Sequence, residues 1–358
     1  SVEAKLLVID EASMVSADLD SWIQQAVESS IFAPQILWMG DLYQLPPIGE
    51  EKAASLLREM PEARLTTPVR YSGAIGQLCT SLRKKIDGEA FAGITSDWDT
   101  ESQSGVFCGE MGWWLDQSIA AFKSKQSSLD KDYVRVICYT NKAVEAANSR
   151  IRKAILGENA PEIVAGEWLV AREACVNSEG DILISSSHEF VVKDAEKQQL
   201  DLTSCGNYPL SGIESFDPTN CTNERALKGR GFGHYIEAMQ KANVWRISTH
   251  ETYIPDRGIG QADVVLYRVA QESLDDYLVL QEFFRANRAW NWFYRLKKFN
   301  HSVQPLYALT AHKSQGSSFD NVFVNLRDMR KNRSRQERDR LIYVACSRAK
   351  NRIIAEKM

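Results

Sequence analysis

The residues best suited to chemistry are two adjacent carboxylates, Asp10 and Glu11, and, in a second stretch of similar build, an acid and an amide, Asp41 and Gln44. Each group follows a short apolar run: Leu6-Leu7-Val8-Ile9 before the first, Ile36-Leu37-Trp38-Met39 before the second. Neighbouring carboxylates repel and are costly to hold together unless they have work to do. One of them can hold a hard divalent cation such as Mg2+, directly or through water, while the other orients or deprotonates an attacking water. The same residues also fit a plain strand-to-loop turn with two solvated acids.

Four consecutive aliphatic residues exceed what a half-exposed strand needs, so Leu6 to Ile9 is predicted to be a buried parallel strand that delivers Asp10 and Glu11 into a crevice. Gln35 to Met39 is predicted to be a second, with Gly40 turning the backbone and Pro46-Pro47 stiffening the exit. Between them Ser16 to Glu28 has helical spacing, with Leu19, Ile23 and Val27 on one face. Strand ends carrying acids on either side of a helix are the arrangement of a nucleotide crevice on a doubly wound sheet.

These two stretches resemble motifs II and III of superfamily 1 helicases. Leu309-Thr310-Ala311-His312-Lys313-Ser314-Gln315-Gly316 and Tyr343-Val344-Ala345-Cys346-Ser347-Arg348-Ala349-Lys350 resemble motifs V and VI, in the expected order. The likeness is to the 5′-to-3′ branch, the RecD and Dda type, and it covers nearly the whole chain. It implies an α/β fold of tandem RecA-like P-loop NTPase motor domains, the second interrupted by an SH3-like β-barrel. It also implies ATP and Mg2+ as cofactors and single-stranded DNA as partner, with replication or recombination proteins as further partners.

The resemblance carries roles onto matching positions. Asp10 becomes the Mg2+ ligand, Glu11 the general base, and Gln44 the amide that senses the terminal phosphate. Arg348 becomes an arginine finger. Asp41, Arg70, Gln315 and Gly316 join the nucleotide side, Arg70 because Pro61 to Arg70 resembles motif IV. Thr310, His312 and Lys313 become contacts to the DNA backbone. A complete motor of this kind also carries a Gly-rich phosphate loop ending in Gly-Lys-Thr or Gly-Lys-Ser. No such motif occurs in these residues, so the expectation is a first motor domain lacking that portion, inactive by itself.

Composition narrows the alternatives. A chain of 358 residues can bury more than one core. Its net charge of −4 argues against a protein that coats nucleic acid through a global positive field, though not against one that grips a few phosphates in one channel. Seven scattered cysteines, odd in number and without metal-ligand pairs, fit reduced thiols in the cytoplasm. No apolar run has transmembrane length, so no membrane partner is expected.

The rest of the chain reads as follows. Glu50 to Met60 is predicted to be a short helix, and Pro61 to Arg70 a strand or extended segment. Ile75 to Ile86 is a helix ended by Gly88, and Trp113 and Trp114 open another. Tyr133 to Cys138 is a central strand leading through Thr140 and Asn141 into a helix. Either residue can cap that helix, whose open N–H groups would suit a DNA phosphate.

From Gly166 short strands alternate with turn-rich polar sequence, the pattern of a small antiparallel barrel. The aperiodic loop Leu202 to Arg230 is expected to be disordered or a special surface element. Ser273 to Lys298 is a helix or helix pair in which rings alternate with basic residues, a pattern that either packs a helix or stacks on a single strand. Residues Arg327 to Arg340 form a largely solvated charged run, and Leu341 to Ala345 open a last helix bearing Arg348.

The expected organisation is therefore a partial first motor domain at 1–90, a linker or edge segment at 91–108, and the second motor domain at 109–170 and 301–358. The barrel-like insertion occupies 171–300. A motor that hydrolyses ATP, a non-hydrolysing DNA-binding or regulatory subunit derived from one, and a viral RNA helicase of the same superfamily remain in competition. The set Asp10, Glu11, Gln44 and Arg348 favours the first, and the barrel favours DNA.

Overall fold

A computed structural model describes residues 4–47, 49–50, 53, 60–65, 67, 69–249 and 263–357. The chain divides into two compact units, Ser1–Ile155 with Tyr307–Met358, and Leu156–Leu306.

The first unit begins with β1 (Leu6–Ile9), α1 (Ala17–Glu28, capped by the Ser16 hydroxyl) and β2 (Gln35–Trp38), and β1 pairs with β2 in parallel. It continues through α2 (Gly73–Ile86), β3 (Asp97–Asp99), β4 (Ser104–Gly109), α3 (Met111–Phe122), α4 (Lys125–Leu129), β5 (Val134–Cys138) and α5 (Asn141–Leu156).

The second unit follows, with β6 (Trp168–Ala171), β7 (Cys175–Val176), β8 (Ile182–Ile184), β9 (Glu189–Leu200), α6 (Phe232–Met239), β10 (Ala242–Thr249) and β11 (Val264–Val269). Its last elements are α7 (Gln271–Ala286), α8 (Trp290–Phe299) and β12 (Val303–Pro305). The chain then re-enters the first unit with β13 (Ala308–Thr310), β14 (Phe319–Val324), α9 (Leu326–Met329), α10 (Arg335–Cys346) and β15 (Ala349–Glu356).

A six-stranded sheet of order β13-β5-β14-β15-β4-β3 is parallel except at β3. Its central strand β5 is covered on both faces: Val134, Val136, Ile137 and Cys138 are each at most 1% exposed, and even Arg135 among them is 2% exposed.

β1 and β2 differ from expectation here. They are parallel, yet Leu6 and Val8 are 53% and 48% exposed. The two strands have only each other as sheet neighbours among the described residues, and Trp22 of α1 is likewise exposed.

The stretch 91–108 is not a linker, because β3 and β4 extend the sheet. Gly105 and Gly109 hide the strand in sequence. A Cβ on Gly105 would lie 2.4 Å from the Trp98 ring and one on Gly109 2.0 Å from Trp113, so the rings fill the space that side chains would take. The helix expected at 50–60 lies almost wholly outside the described residues. The described part of 61–70 is irregular rather than a strand, with Leu65 and Val69 fully open.

The second unit is built on a separate antiparallel sheet of order β11-β10-β9-β6-β12. Its outer strands approach one another: the His301 N–H donates to Tyr267 O on β11 at 2.9 Å, and the Tyr267 N–H donates to His301 Nδ1 at 3.0 Å. The unit starts earlier than 171, since β6 pairs with both β9 and β12. It also ends later than 300: the strand expected over Gln304 to Leu309 is split, with β12 in this sheet and β13 in the other.

The loop 202–230 is packed. Leu202, Leu210, Ile213 and Leu227 are buried against α6, α7 and α8, and Phe216 meets the rings of Phe232, Phe284 and Trp292. Short one-turn helices lack periodicity, which is why the sequence reads as disorder. α7 and α8 occupy the predicted helix pair. All seven cysteines are free thiols, and among the described residues no helix is long and apolar enough to cross a membrane.

Candidate functional site

The turn after β1 is woven to the end of β2. The Met39 N–H donates to Ile9 O and the Ala12 N–H to Met39 O, both at 2.8 Å. Close approach requires Gly40, where a Cβ would sit 2.9 Å from Ser13 N. Within the turn Glu11 is left-handed, with φ 49°, and its N–H donates to Asp10 Oδ1 at 2.8 Å. Such a conformation costs a non-glycine residue on the order of 1 kcal/mol and persists where surrounding structure dictates it.

Three segments approach Glu11, two of them bringing positive charge. Arg348 occupies the turn between α10 and β15, Arg70 precedes α2, and Gly316, with φ +77°, presents bare backbone at the end of the segment after β13. A Cβ on Gly316 would lie 3.8 Å from Glu11 Oε1. Burial raises the Glu11 carboxyl above the ordinary value of 4.5, and Asp10 and Asp41 add to this while Arg348 and Arg70 oppose it.

Arg348 is 2% exposed. Its Nε donates to Val344 O (3.2 Å), its Nη1 to Ser317 O (3.4 Å) and its Nη2 to Ser347 Oγ (2.9 Å). Burial, then the like charge of Arg70, pull its pKa down to about 10, with Glu11 resisting. It stays cationic at neutral pH. Arg70 Nη1 donates to Ser347 O at 3.4 Å.

Arg348 does not project from a helix opened by Leu341. α10 begins at Arg335, capped by the Ser334 hydroxyl, and Leu341 to Ala345 lie in its second half. The charged run before it is also less solvated than expected, since Asp328, Asn332, Asp339 and Arg340 are buried.

Gln44 is held from both sides. Arg340 Nη1 donates to its carbonyl at 3.1 Å, and Gln315 Nε2 donates to its Oε1 at 3.3 Å and to Leu45 O at 3.4 Å. Gln315 Oε1 is buried without a hydrogen-bond partner among the described residues.

Asp41, assigned to the nucleotide, is occupied otherwise. Its Oδ2 accepts from the Tyr343 hydroxyl at 2.9 Å and lies 3.5 Å from Arg83 Nη2, and its Oδ1 accepts the Tyr43 N–H at 3.0 Å. Arg83 Nε and Nη2 both donate to the Tyr343 hydroxyl, at 2.8 and 2.6 Å. Arg83, Arg340 and Tyr343 were not singled out in the sequence. Their only signal there is position, Tyr343 inside the motif VI stretch and Arg83 at the basic end of a helix. A cleft of about 350 Å3 opens beside this network, lined in part by Ser13, Asp41, Gln44 and Arg340.

The donor set suits Mg2+ with a phosphorylated ligand better than a metal held by protein alone. Among the described residues no three His, Cys, Asp or Glu side chains gather into a cage. Mg2+ commonly takes one or two carboxylates and completes its octahedron with phosphates and water. Asp10 provides such a carboxylate, and the orphaned Gln315 Oε1 is a buried group lacking the polar partner it requires.

The candidate nucleic-acid residues fall on the same sheet but differ in availability. Thr140 is committed: its N–H donates to Asp328 Oδ2 at 2.7 Å and its hydroxyl to Asp328 Oδ1 at 2.9 Å, with the Tyr139 N–H joining at 2.9 Å. Asp328 therefore fills the helix N-terminus of α5 that the sequence offers to a phosphate. Burial works to raise its pKa, but hydrogen bonds from Lys331, Thr140 and Tyr139 overcome that and hold it below 3.8.

Asn141 beside it is exposed. Thr310 is 8% exposed and its Oγ1 accepts the Lys313 N–H at 3.3 Å. Burial lowers the His312 pKa from 6.5, opposed by Glu337, which keeps the ring neutral at neutral pH. The single turn from Thr310 to Gly316 thus runs from these residues to Glu11.

The turn between α10 and β15 thus sets a buried arginine toward the acid pair at the end of β1, beside a mostly parallel α/β sheet. Residues 305–354 match the family model of the UvrD-like helicase C-terminal domain. The chain is 23% identical over 337 residues to the ATP-dependent DNA helicase dda of Enterobacteria phage T4, across 90% of this chain and 69% of that protein. It is 20% identical over 395 residues to the uncharacterized protein R530 of Acanthamoeba polyphaga mimivirus, across 99% of this chain and 74% of that one. Among solved structures, Pif1 helicase from Candida albicans aligns with 99% of this chain and 72% of its own, at 16% identity and a TM-score of 0.44. The chain is thus similar, at low identity, to ATP-dependent DNA helicases.

Proposed function

We propose that this protein is part of an ATP-driven motor of superfamily 1 that moves 5′ to 3′ on single-stranded DNA, in the RecD and Dda manner. The observation that carries the reading is the convergence of Glu11, Arg348 and Arg70. Transfer of a phosphoryl group to water needs a base for the water and fixed positive charge where negative charge develops.

Glu11, its carboxyl raised above the ordinary value by burial, takes the proton of the attacking water. Asp10 would hold Mg2+, which would supply positive charge to the phosphates. Arg348 supplies a guanidinium whose backbone bonds fix its fork before the ligand arrives. Gln315 reaches Gln44, which links the turn bearing Thr310, His312 and Lys313 to the nucleotide side. DNA contact falls to those three and to Asn141, because Thr140 is spent on Asp328.

The second unit takes the role of an SH3-like barrel inserted into the second of two RecA-like domains. Replication or recombination proteins in the cytoplasm are the expected partners.

A phosphate loop is the one component without a counterpart in these residues, and this favours a second reading in which the chain by itself binds DNA without hydrolysing ATP. The test is steady-state phosphate release with and without single-stranded DNA, for the chain alone and for the chain joined to a phosphate-loop segment. Negligible turnover alone and DNA-stimulated turnover when joined, abolished by Glu11→Gln, are expected. Equal turnover from both, lost in the Glu11→Gln control, would overturn the reading.

A further inference from the structure

A cavity of about 850 Å3 lies within the second unit, between α8, β11, the β7–β8 hairpin and the turn 206–209. Pockets for small ligands commonly span ~300–1,000 Å3. Its lining contains no aspartate or glutamate, although the chain as a whole carries a net charge of −4.

The lining separates into two kinds of residue. The floor is spent on the fold. His301 uses both ring nitrogens on the backbone of Tyr267 and Val176, Arg295 donates to Ser211 O and Tyr208 O, and Tyr267 stacks on Phe299 at 5.3 Å. The wall is open to solvent, although both of its rings also meet the Phe293 ring edge to face. Trp290 and Tyr294, one helical turn apart on α8, are 48% and 54% exposed and lie with their ring centroids 6.2 Å apart. Lys298, one turn further along α8, has no ion-pair partner among the described residues, and the amides of Asn207 and Asn291 have no hydrogen-bond partners there.

Two open aromatic faces, two free amides and one free ammonium form the set that an unpaired nucleotide requires. Rings stack on the base, amides meet its edge, and a cation meets the phosphate. We infer that this cavity takes an unpaired nucleotide, its base against Trp290 and Tyr294 and its phosphate toward Lys298. The inference rests on the single-strand reading above but assigns a contact away from the motifs that carry it. An acidic peptide with an aromatic end is the competing occupant. The rings distinguish the two, because every base offers a π face for stacking whereas such a peptide offers a single ring at its end.

The experiment is ultraviolet cross-linking of the full chain to an oligodeoxythymidylate of about 12 nucleotides carrying 5-iodouracil, within the site sizes of single-strand grooves. The adduct is located by mass spectrometry, and free 5-iodo-dUMP serves as a parallel probe. Adducts on Trp290 or Tyr294 are expected. Trp290→Ala and Tyr294→Ala should each weaken strand binding about tenfold, and Trp290→Phe and Tyr294→Phe should retain it within a few-fold. Lys298→Gln should lower the salt slope by about 0.7.

Adducts from the free nucleotide as well as the strand assign the site to nucleotides in general, and adducts from the strand alone assign it to single strands. Undiminished strand binding in the alanine variants, with adducts only in residues 307–358, overturns the pocket and leaves the motor reading standing. Binding of the free nucleotide at the rings without any strand binding keeps the pocket and removes the strand reading. If neither probe binds, or an Asp-rich peptide ending in phenylalanine binds at these rings in their place, the inference fails.

Discussion

Around Glu11 nearly every charged group already faces another, whereas on the open side of α8 the polar groups face solvent. Arg348 is buried with its fork tied to three backbone or hydroxyl oxygens, and Glu11 sits in a strained turn between two arginines and two acids. Among the described residues Lys298, Asn207 and Asn291 carry no such ties.

The contrast separates two ways of meeting an anion. Fixed, desolvated charge destabilises the empty site but needs no reorganisation as charge develops, the requirement of a reaction. Mobile, hydrated groups beside open rings keep their entropy until a ligand arrives, and this suffices for binding.

The sharpest way to break the comparison is to remove the fixed charge. In a hydrolysing preparation that includes a phosphate loop, Arg348→Ala should lower DNA-stimulated turnover by about a thousandfold while single-strand affinity stays within a few-fold. Arg348→Lys should recover little, because an ammonium cannot make the three directed bonds that hold the fork. The check is the saturated ATPase rate beside strand affinity by anisotropy. A loss of affinity as large as the loss of rate would move Arg348 out of the reaction and into the nucleic-acid site.

Much of this first region was legible in the sequence. Asp10, Glu11, Gln44, Gln315, Gly316 and Arg348 are consecutive with apolar runs that make strands and a helix, so local pattern fixes where they must emerge. What sequence could not supply is how the side chains pair across elements. Asp41 reads as a ligand residue until Tyr343 and Arg83 are seen to occupy its oxygens. Thr140 reads as an open cap until Asp328, distant in sequence, reaches it.

β4 was missed because glycine stands where strand side chains should alternate, and loop 202–230 because one-turn helices have no period to detect. The pocket of the second unit was only half visible. The rings and cations of Ser273 to Lys298 are plain in the sequence, but which of them pack and which stay open depends on Phe216 and the turn around Tyr208.

Asp328 gives the next largest effect, on stability rather than rate. Its carboxylate is 2% exposed and accepts from Tyr139 N, Thr140 N, Thr140 Oγ1 and Lys331 Nζ. Asp328→Ala should cost about 3 kcal/mol, since it strands two backbone donors and a cation. The folded carboxyl is held below 3.8, so its stabilisation is complete above that value and is lost as pH falls through the folded value. Urea titrations should therefore show a constant deficit between about pH 5 and pH 8 that shrinks only in strong acid. A deficit that varied across neutrality would mean another group carries the effect.

Lys313 tests the turn that joins the two functions. Lys313→Ala should weaken single-strand binding and lower the salt slope by about 0.7, the contribution of one phosphate on a single strand. Turnover at saturating DNA should stay within a few-fold. An unchanged slope with lost turnover would place this lysine on the nucleotide side, one step from Gln315.

The smallest effect bears most directly on the contrast between the regions. If the charge at Glu11 is held at a cost, neutralising it should relieve the fold even as it ends the reaction. Burial raises the folded carboxyl above 4.5, so between 4.5 and the folded value the native state binds more protons than the unfolded chain, and stability falls as pH rises through that window. Above the window the penalty is present in full.

Glu11→Gln removes it, so the variant should melt at the wild-type temperature near pH 4.5 and above it at pH 8, with the gap opening between. The opposing contribution is the attraction to Arg348 and Arg70, which glutamine forfeits and which leaves those cations less compensated. The two act with opposite sign on one observable, and thermal melts of both proteins across that range decide between them. A variant less stable than wild type at pH 8 would show that the arginines outweigh burial, and that Glu11 is a structural ion-pair partner before it is a base.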